Sequence, residues 1–190
     1  MIKGNLVNLR FPEPADHRKL VKWRNENLQY FFSDEPVSIE KHLDWYERVS
    51  HNASQRFFVI ETIIDNRSVP HGAMGFVPIG TIGLQNVNFH HRHAEYGRFL
   101  IAEEHRGKGY GKDALATLLN FAFATLGLHK VYGDLLAVNL TLALRLCDSL
   151  GFQNEGIFKD HVFKGGKPAS IARLSVLDFV FYERLKEDLK

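Results

Sequence analysis

Apolar positions along the chain follow two periods, one of about two residues and one of three to four residues. Segments with the shorter period, or with an unbroken apolar run, are typical of β-strands. Five such segments are 6–10, 56–61, 80–87, 94–101 and 129–138. Two more, 156–163 and 170–177, flank Lys164-Gly165-Gly166-Lys167, a turn sequence that predicts a β-hairpin.

The longer period predicts helices. The clearest runs from Lys112 to Leu126, where a single apolar stripe recurs at helical spacing before Gly127 ends the helix. The stripe consists of Leu115, Leu118, Leu119, Ala122 and Leu126. Three further helices are expected to begin after the capping residues Asp16, Ser38 and Asn139, and a last one spans 178–189.

The order of these elements predicts an α+β fold in one domain over residues 1–190. A strand, a crossover helix and a second strand in the middle of the chain predict a parallel pair at the centre of the sheet. Segment 65–78 contains two prolines and two glycines and is expected to be an irregular loop with at most a short strand.

Composition narrows the classes of function. The 24 basic and 22 acidic side chains give a net charge of +2, which does not indicate a nucleic-acid or membrane surface. No segment has the roughly 20 apolar residues that a membrane span requires. Cys147 is the single cysteine, which suits a reducing, cytoplasmic location. The tract His90-His91-Arg92-His93 lacks the spacing of a metal site and is interpreted as a solvated turn, so no metal is expected.

The segment Arg106-Gly107-Lys108-Gly109-Tyr110-Gly111 lies between a predicted strand and a predicted helix. A glycine turn at a helix N-terminus leaves several backbone N–H groups without partners and lets an anion approach them closely, so it favours a phosphate. The segment fits neither the P-loop nor the dinucleotide fingerprint. It does fit Arg/Gln-x-x-Gly-x-Gly/Ala, and here the chain resembles the GNAT acetyltransferase superfamily.

Further residues are similar to that family over most of the chain: Glu95, Leu128-His129-Lys130, Asn139, Leu150-Gly151-Phe152 and Glu155-Gly156. The resemblance implies a mixed, mostly antiparallel sheet whose fourth and fifth strands are parallel and splay apart, flanked by helices. It also implies acetyl-coenzyme A as co-substrate. Its pyrophosphate would lie on the loop from Arg106 to Gly111 with Lys112, and its pantetheine arm along the main chain of Phe99, Leu100 and Ile101, with contact to Asn139.

Transfer of an acetyl group to an amine requires a neutral amine, and a lysine-like ammonium has a pKa of about 10.4. Glu95 is the candidate base, because alternation is expected to place it on the same strand face as Gly97, Phe99 and Ile101. The alternative is a surface carboxylate paired with Arg92 or Arg98. Cys147 lies where many GNAT enzymes have a tyrosine that acts as acid toward the coenzyme sulfur. It is interpreted either as that acid or as a packed core cysteine.

The acceptor stays open between amino sugars linked to nucleotides, polyamines and protein N-termini. Trp23-Arg24-Asn25, His42 and Trp45 are similar to the amino-sugar branch, whereas 32–36, 56–61 and Leu128-His129-Lys130 are similar to the spermidine branch. Five acidic residues could attract a polyamine or could simply form a wet helix face: Asp34, Glu35, Glu40, Asp44 and Glu47. A homodimer is considered as the assembly. The rival function is a non-catalytic module that binds an acyl-coenzyme A and reports it to a partner.

Overall fold

The computed structural model describes residues 1–64 and 75–187. Its strands form one eight-stranded sheet in the order β1-β2-β3-β4-β5-β6-β8-β7. The strands are β1 (Ile2–Lys3), β2 (Val7–Arg10), β3 (Arg56–Ile64), β4 (Gly75–Asn88), β5 (His93–Ile101), β6 (Lys130–Leu136), β7 (Gln153–Lys164) and β8 (Lys167–Leu177). The predicted irregular loop at 65–78 lies mostly outside the described residues, and its last four residues belong to β4.

Among the described strands only β5 and β6 pair in parallel, and the remaining neighbours are antiparallel. The predicted α+β class and the central parallel pair are therefore confirmed. The helices are α1 (His17–Glu26), α2 (Ile39–Ser50), α3 (Tyr110–Asn120), α4 (Leu140–Cys147) and α5 (Asp178–Glu187). The hairpin of β7 and β8 is also confirmed, with Gly165 and Gly166 both at positive φ in its turn.

Each face of the sheet buries its own apolar cluster. Neighbouring residues of a strand point to opposite faces, and Ile60 belongs to the larger cluster whereas Val59 belongs to the smaller one. The larger cluster packs α3 against the sheet through its predicted leucine stripe. The smaller cluster holds Leu20 and Trp23 of α1 and Val49 of α2 on the other face. Helix α3 and the pair α1–α2 thus cover opposite faces.

Local sequence predicted the helix ends unevenly. Ser38 caps α2 as expected, since its hydroxyl accepts a hydrogen bond from the Lys41 N–H. Helix α1 begins directly after Asp16, as expected, but the Asp16 carboxylate makes no capping hydrogen bond and instead binds the Arg10 guanidinium at 2.6 and 3.0 Å. Asn139 occupies the N-cap position of α4, but its side chain makes no capping hydrogen bond. An arginine reaching in from β2 outcompetes a local cap, because a bidentate charged pair is the stronger interaction.

The end of α3 also departs from the simple prediction. Regular α-helix ends at Asn120, and residues Phe121–Thr125 form one π-helical turn before the chain leaves the helix. Gly127 then adopts φ +66°, so its predicted role as the helix stop is confirmed.

Candidate active site

A β-bulge in β5 determines which side chains reach the site. Gly83 of β4 pairs with Gly97, yet Thr81 pairs with Leu100, so β5 contains one extra residue at this point. Arg98 lies in the extra segment with φ +52°, and its carbonyl accepts a hydrogen bond from the Thr81 hydroxyl at 2.7 Å. A bulge of one residue exchanges the faces of all side chains that follow it.

The expected alternation of Glu95 with Phe99 and Ile101 is therefore wrong. Phe99 and Ile101 pack on the cluster of α3, whereas Leu100 packs on the cluster of α1 and α2. Glu95 pairs with Gln85 before the bulge, and its side chain lies on the face opposite to Phe99. Simple counting along the strand fails because the bulge depends on register with β4.

The parallel pairing of β5 with β6 is short. It joins His93 with Lys130, Ala94 with Val131 and Glu95 with Tyr132, and the paired segment ends there. Beyond this point the Tyr96 ring lies across the backbone of Gly133, so close that a Cβ on this glycine would come within 2.2 Å of Tyr96 Cε1. An aromatic ring thus occupies the point where the two strands separate.

A groove of about 730 Å³ runs from this separation to the glycine loop. It brings together the predicted site residues Glu95, Phe99, Leu100, Ile101, Arg106, Gly107, Gly109, Tyr110, Gly111, Lys112, Asn139 and Cys147. Lys108 belongs to the same loop but is not part of the groove wall, and its Nζ donates to the Glu104 carbonyl at 3.0 Å.

The glycine loop has the backbone that its sequence predicts. Gly107 and Gly109 adopt φ +75° and +82°, and Gly109 is the N-cap of α3. Within the described part of the chain, the N–H groups of residues 107–111 have no hydrogen-bond acceptor. Arg106 is fixed in place, since its guanidinium donates to the Ile101 carbonyl at 2.9 Å and to Asn27 Oδ1 at 2.6 Å. The loop therefore presents open amide donors at a positive helix end.

Asp113 in the first turn of α3 anchors this helix to the N-terminal segment. Its buried carboxylate accepts hydrogen bonds from the N–H groups of Asn5, Leu6 and Val7 at 3.1, 2.7 and 2.9 Å. Sequence reasoning missed this contact, because more than 100 residues separate the partners. A carboxylate that satisfies three backbone donors holds the N-terminal end of α3 in a fixed position.

Glu95 lies in the groove wall with both carboxylate oxygens engaged by amides. Gln85 Nε2 donates to one oxygen at 2.6 Å and Asn86 Nδ2 donates to the other at 2.8 Å. The expected alternative of an ion pair with Arg92 is not the arrangement found, since Arg92 Nε donates to the Gly127 carbonyl. Burial lowers the pKa of Arg98, the other arginine of that alternative, and the charge of Glu95 partly offsets this effect, so the two side chains interact electrostatically. The carboxylate itself is held in place by the two neutral amide donors.

Cys147 and Tyr96 meet inside the groove wall. The Tyr96 hydroxyl lies 3.8 Å from Cys147 Sγ, and the thiol is 1% exposed. Burial raises the pKa of Cys147 to about 11, partly offset by the hydrogen bond from Tyr96. Burial also raises the pKa of Tyr96 well above its ordinary value, reinforced by the neighbouring thiol. Sequence reasoning missed Tyr96, although its position directly after Glu95 on the predicted central strand was a usable signal.

A second cavity of about 390 Å³ opens beside α1 and α2. It shares Phe31, Arg98 and Leu100 with the groove, so the two spaces meet at the bulge of β5. Its other charged or titratable lining residues are Arg24, Lys41 and His42. The remaining lining residues, apart from Thr81, are apolar or aromatic: Leu20, Val21, Val37, Trp45 and Phe57.

His42 in this wall is paired with His17 at 3.1 Å. Burial, with a contribution from the charge of His17, lowers the pKa of His42 to about 4. His42 is therefore neutral near pH 7 and adds hydrogen-bonding capacity to the cavity without adding charge.

The five acidic residues considered for a polyamine are all exposed and lie outside the lining of this cavity. Asp34 forms an ion pair with Lys164 and accepts from the Gly165 N–H at 2.7 Å. Glu40 lies in the first turn of α2, where a carboxylate is favoured by the helix dipole. Their positions agree with the interpretation of these acidic residues as part of the solvent-exposed surface.

Two further sequence features lie away from the groove. His90 and His91 are exposed in the turn between β4 and β5, as expected for a solvated tract, whereas His93 is the first residue of β5 and is half-buried, with its Nδ1 atom buried. Within residues 1–64 and 75–187, no group of three or more metal-binding side chains is positioned to hold an ion. None of the helices in these ranges combines the length and apolar character needed to cross a bilayer.

Comparison with known proteins assigns the family. The acetyltransferase (GNAT) domain matches residues 7–153. Spermidine N(1)-acetyltransferase of Vibrio cholerae is 29% identical over 180 residues, which are 94% of this chain and 96% of the relative.

Solved structures of the Vibrio cholerae spermidine N-acetyltransferase share the fold. Its complex with CoA and spermine superposes with a TM-score of 0.79 at 27% identity, covering 93% of this chain and 98% of that one. A dodecameric structure of the enzyme in an intermediate state gives 0.73 at 27% identity, over 94% and 98%. The chain belongs to the GNAT acetyltransferase family and is an N-acetyltransferase.

Proposed function

We propose that this protein transfers the acetyl group of acetyl-coenzyme A directly to a primary amine while both substrates are bound. The observation that carries the proposal is that the groove and the second cavity share a wall at Arg98 and Leu100. A thioester in the groove and an amine in the cavity would meet at this wall, beside Glu95. Holding both reactants together supplies much of the rate enhancement of a bimolecular transfer.

The coenzyme is expected to bind along the groove. Its pyrophosphate would accept hydrogen bonds from the open N–H groups of the glycine loop, with Lys112 on the same rim. Its pantetheine arm would pass between β5 and β6, where pairing ends after Glu95, and would bond the main chain of residues 99–101. Asn139 lies in the groove wall at the start of α4, within the surface that such an arm would contact.

The chemical step requires a base and stabilisation of the leaving thiolate. Glu95 would take the proton of the attacking ammonium, directly or through one water. The amine nitrogen then bonds to the carbonyl carbon, collapse of the tetrahedral adduct breaks the carbon–sulfur bond, and the nitrogen gives up its second proton to water. We propose that the Tyr96 hydroxyl donates a hydrogen bond to the departing sulfur. Its raised pKa keeps it protonated, so the thiolate leaves as an anion and takes up, through water, the proton that the nitrogen released.

Cys147 is better suited to packing beside Tyr96 than to catalysis. A buried thiol with a pKa of about 11 holds its proton at neutral pH and is a weak nucleophile and a weak acid toward a thiolate. Its proposed catalytic role remains a prediction, which replacement by alanine tests.

The similarity to spermidine N-acetyltransferases supports an amine acceptor, and polyamines, amino sugars and peptide N-termini all provide one. The dodecameric relative supports a homo-oligomer for this chain, and a dimer is only one such assembly. The buried reduced Cys147 supports a cytoplasmic location, and the sheet shared by all described strands supports a single domain.

The test measures thiol release from acetyl-coenzyme A with a panel of polyamines, amino sugars, aminoglycosides and peptides. Acetylation of at least one amine, with no acetylated protein in its absence, supports direct transfer. Glu95→Gln is expected to lower turnover by about 100-fold, within the range for general bases, while coenzyme affinity changes little. Asp148→Asn, an exposed carboxylate at the end of α4, is the control. Binding of the coenzyme without acetylation of any amine would instead favour a non-catalytic module.

A further inference from the structure

We propose that the cavity beside α1 and α2 binds the anionic group of a negatively charged amine, such as a phosphorylated amino sugar, through Arg24 and Arg98. This inference rests on the proposed function, because it assigns the cavity to the acceptor. It departs from the polyamine named for the relatives, since a polyamine carries only positive charge.

Arg24 of α1 is the first observation. Its guanidinium stacks on the Phe31 ring at 3.9 Å, and its Nη1 is buried with no hydrogen-bond acceptor among the described residues. Burial lowers the pKa of Arg24, and no carboxylate offsets that effect. Arg24 as a whole is half-buried, but a buried guanidinium N–H without an acceptor is costly, so its retention at a cavity wall points to an anion supplied by a ligand.

Arg98 on the bulge of β5 is the second observation. Its Nη2 donates to Gln55 Oε1 at 2.7 Å, and its guanidinium lies 5.0 Å from the centre of the Trp45 ring. Its Nη1 is also buried without an acceptor in the part of the chain that the structure describes. Two arginines from distant parts of the sequence therefore bring open, desolvated donors to one space.

The rest of the cavity agrees with such a ligand. None of the residues that line it is an aspartate or a glutamate, and Lys41 adds a third cation. The cavity has aromatic side chains in its wall and a volume of about 390 Å³, which suits a ligand that consists of one ring with an anionic substituent. A polycation in this space would meet the positive charges of Arg24, Arg98 and Lys41, of which Arg98 has the nearby negative charge of Glu95.

The first experiment compares matched amines that differ by one phosphate group. The pairs are glucosamine with glucosamine 6-phosphate, and ethanolamine with O-phosphoethanolamine, with spermidine as a separate probe. We expect the phosphorylated member to have the higher kcat/KM, by about 10- to 100-fold, as one or two charged hydrogen bonds provide. A higher kcat/KM for spermidine, or equal values within both pairs, would overturn the inference.

Variants of the two cavity arginines test which side chains produce the preference for the phosphorylated amine. Arg24→Gln is expected to remove most of the phosphate preference while leaving the kcat/KM of the unphosphorylated amine within about threefold, because that amine gains little from a guanidinium. Arg98→Gln is expected to remove most of the preference as well, and to lower the kcat/KM of both amines, because Arg98 lies in the wall where the two substrates meet. Arg24→Lys keeps the charge and should retain part of the preference. Arg48→Gln is the matched control, since Arg48 is an exposed arginine of α2 outside the cavity. Equal loss in the control, or undiminished preference in both cavity variants, would contradict the assignment.

Equilibrium binding separates this inference from the proposed function. Calorimetry with glucosamine 6-phosphate, in the presence of coenzyme A, measures binding without turnover. Binding that Arg24→Gln weakens at least 10-fold supports the anion site even if no amine is acetylated. Acetylation without phosphate preference leaves the proposed function intact and refutes the anion site.

Discussion

The contact between Tyr96 and Gly133 gives a sharp test of the proposed slot between β5 and β6. A methyl group at position 133 would lie 2.2 Å from Tyr96 Cε1 and 2.6 Å from Cδ1 and Cζ. Ordinary contact begins at 3.4 Å, so the ring must move by about 1.2 Å in the Gly133→Ala variant. The movement displaces the Tyr96 hydroxyl from the groove and is expected to lower turnover.

The energetic cost can be worked out against a control. Overpacking of this kind costs about 1–3 kcal/mol, whereas alanine for glycine in a strand gains about 0.5–1 kcal/mol. Gly75→Ala in β4 is the control: it should show only the stabilisation by alanine and no overpacking, because a Cβ there meets nothing within 4 Å. Relative to Gly75→Ala, Gly133→Ala should therefore lower the free energy of unfolding by about 1–3 kcal/mol in urea denaturation.

A double-mutant cycle isolates the cause. In a Tyr96→Ala background the ring is absent, and the cost of Gly133→Ala is expected to fall to the value for Gly75→Ala. If Gly133→Ala costs the same with and without the ring, then the ring does not lie against Gly133, and the account of the separated strands is wrong.

Three further outcomes are expected. Tyr96→Phe removes the proposed hydrogen bond to the leaving thiolate and should lower kcat by about 10-fold without changing coenzyme affinity. The kcat of Cys147→Ala, measured by steady-state kinetics, should stay near that of wild type. A larger loss of kcat in Cys147→Ala than in Tyr96→Phe would assign the role to the thiol. Asp113→Asn weakens the hydrogen bonds that the carboxylate accepts from three backbone N–H groups. It should lower the free energy of unfolding in urea by about 2–5 kcal/mol, whereas Asp148→Asn at an exposed position should lower it by less than about 0.5 kcal/mol. The lowered pKa of His42 means that its neutral form stabilises the fold fully above pH 6.5, and that this contribution is lost as the pH falls from 6.5 toward about 4. The urea midpoint of His42→Gln should therefore depend less on pH over this window than that of wild type, and parallel profiles would show that His42 is not the titrating group.

Periodicity and turn chemistry were sufficient for much of the fold. The leucine stripe of α3, the glycine stops and the turn at Gly165 are local signals, and the structure follows them. The glycine loop could likewise be recognised from six consecutive residues. Local signals failed at Asp16, whose carboxylate binds Arg10 of the preceding strand instead of capping α1, and at Asp113, whose backbone partners lie more than 100 residues away.

The least predictable features of the site depend on how neighbouring strands pair and on which distant residues the fold brings together. The bulge at Arg98 exists only because β5 pairs with β4 in a shifted register, and it changes the face on which Glu95 lies relative to Phe99. Arg24 and Arg98 reach one cavity from helix α1 and strand β5, a convergence with no trace in either local segment. Such positions require the assembled sheet before their chemistry can be interpreted.

Calorimetric titration of coenzyme A tests the central claim most directly, namely that the amides at the start of α3 bind the pyrophosphate. Gly109→Asp places a carboxylate beside those amides, and Gly109→Asn has nearly the same shape and backbone demand without the charge. We expect Gly109→Asp to weaken binding by at least 100-fold and Gly109→Asn to weaken it far less, because repulsion between like charges in a partly desolvated site costs several kcal/mol. Wild-type affinity in Gly109→Asp would show that the coenzyme does not bind at this loop.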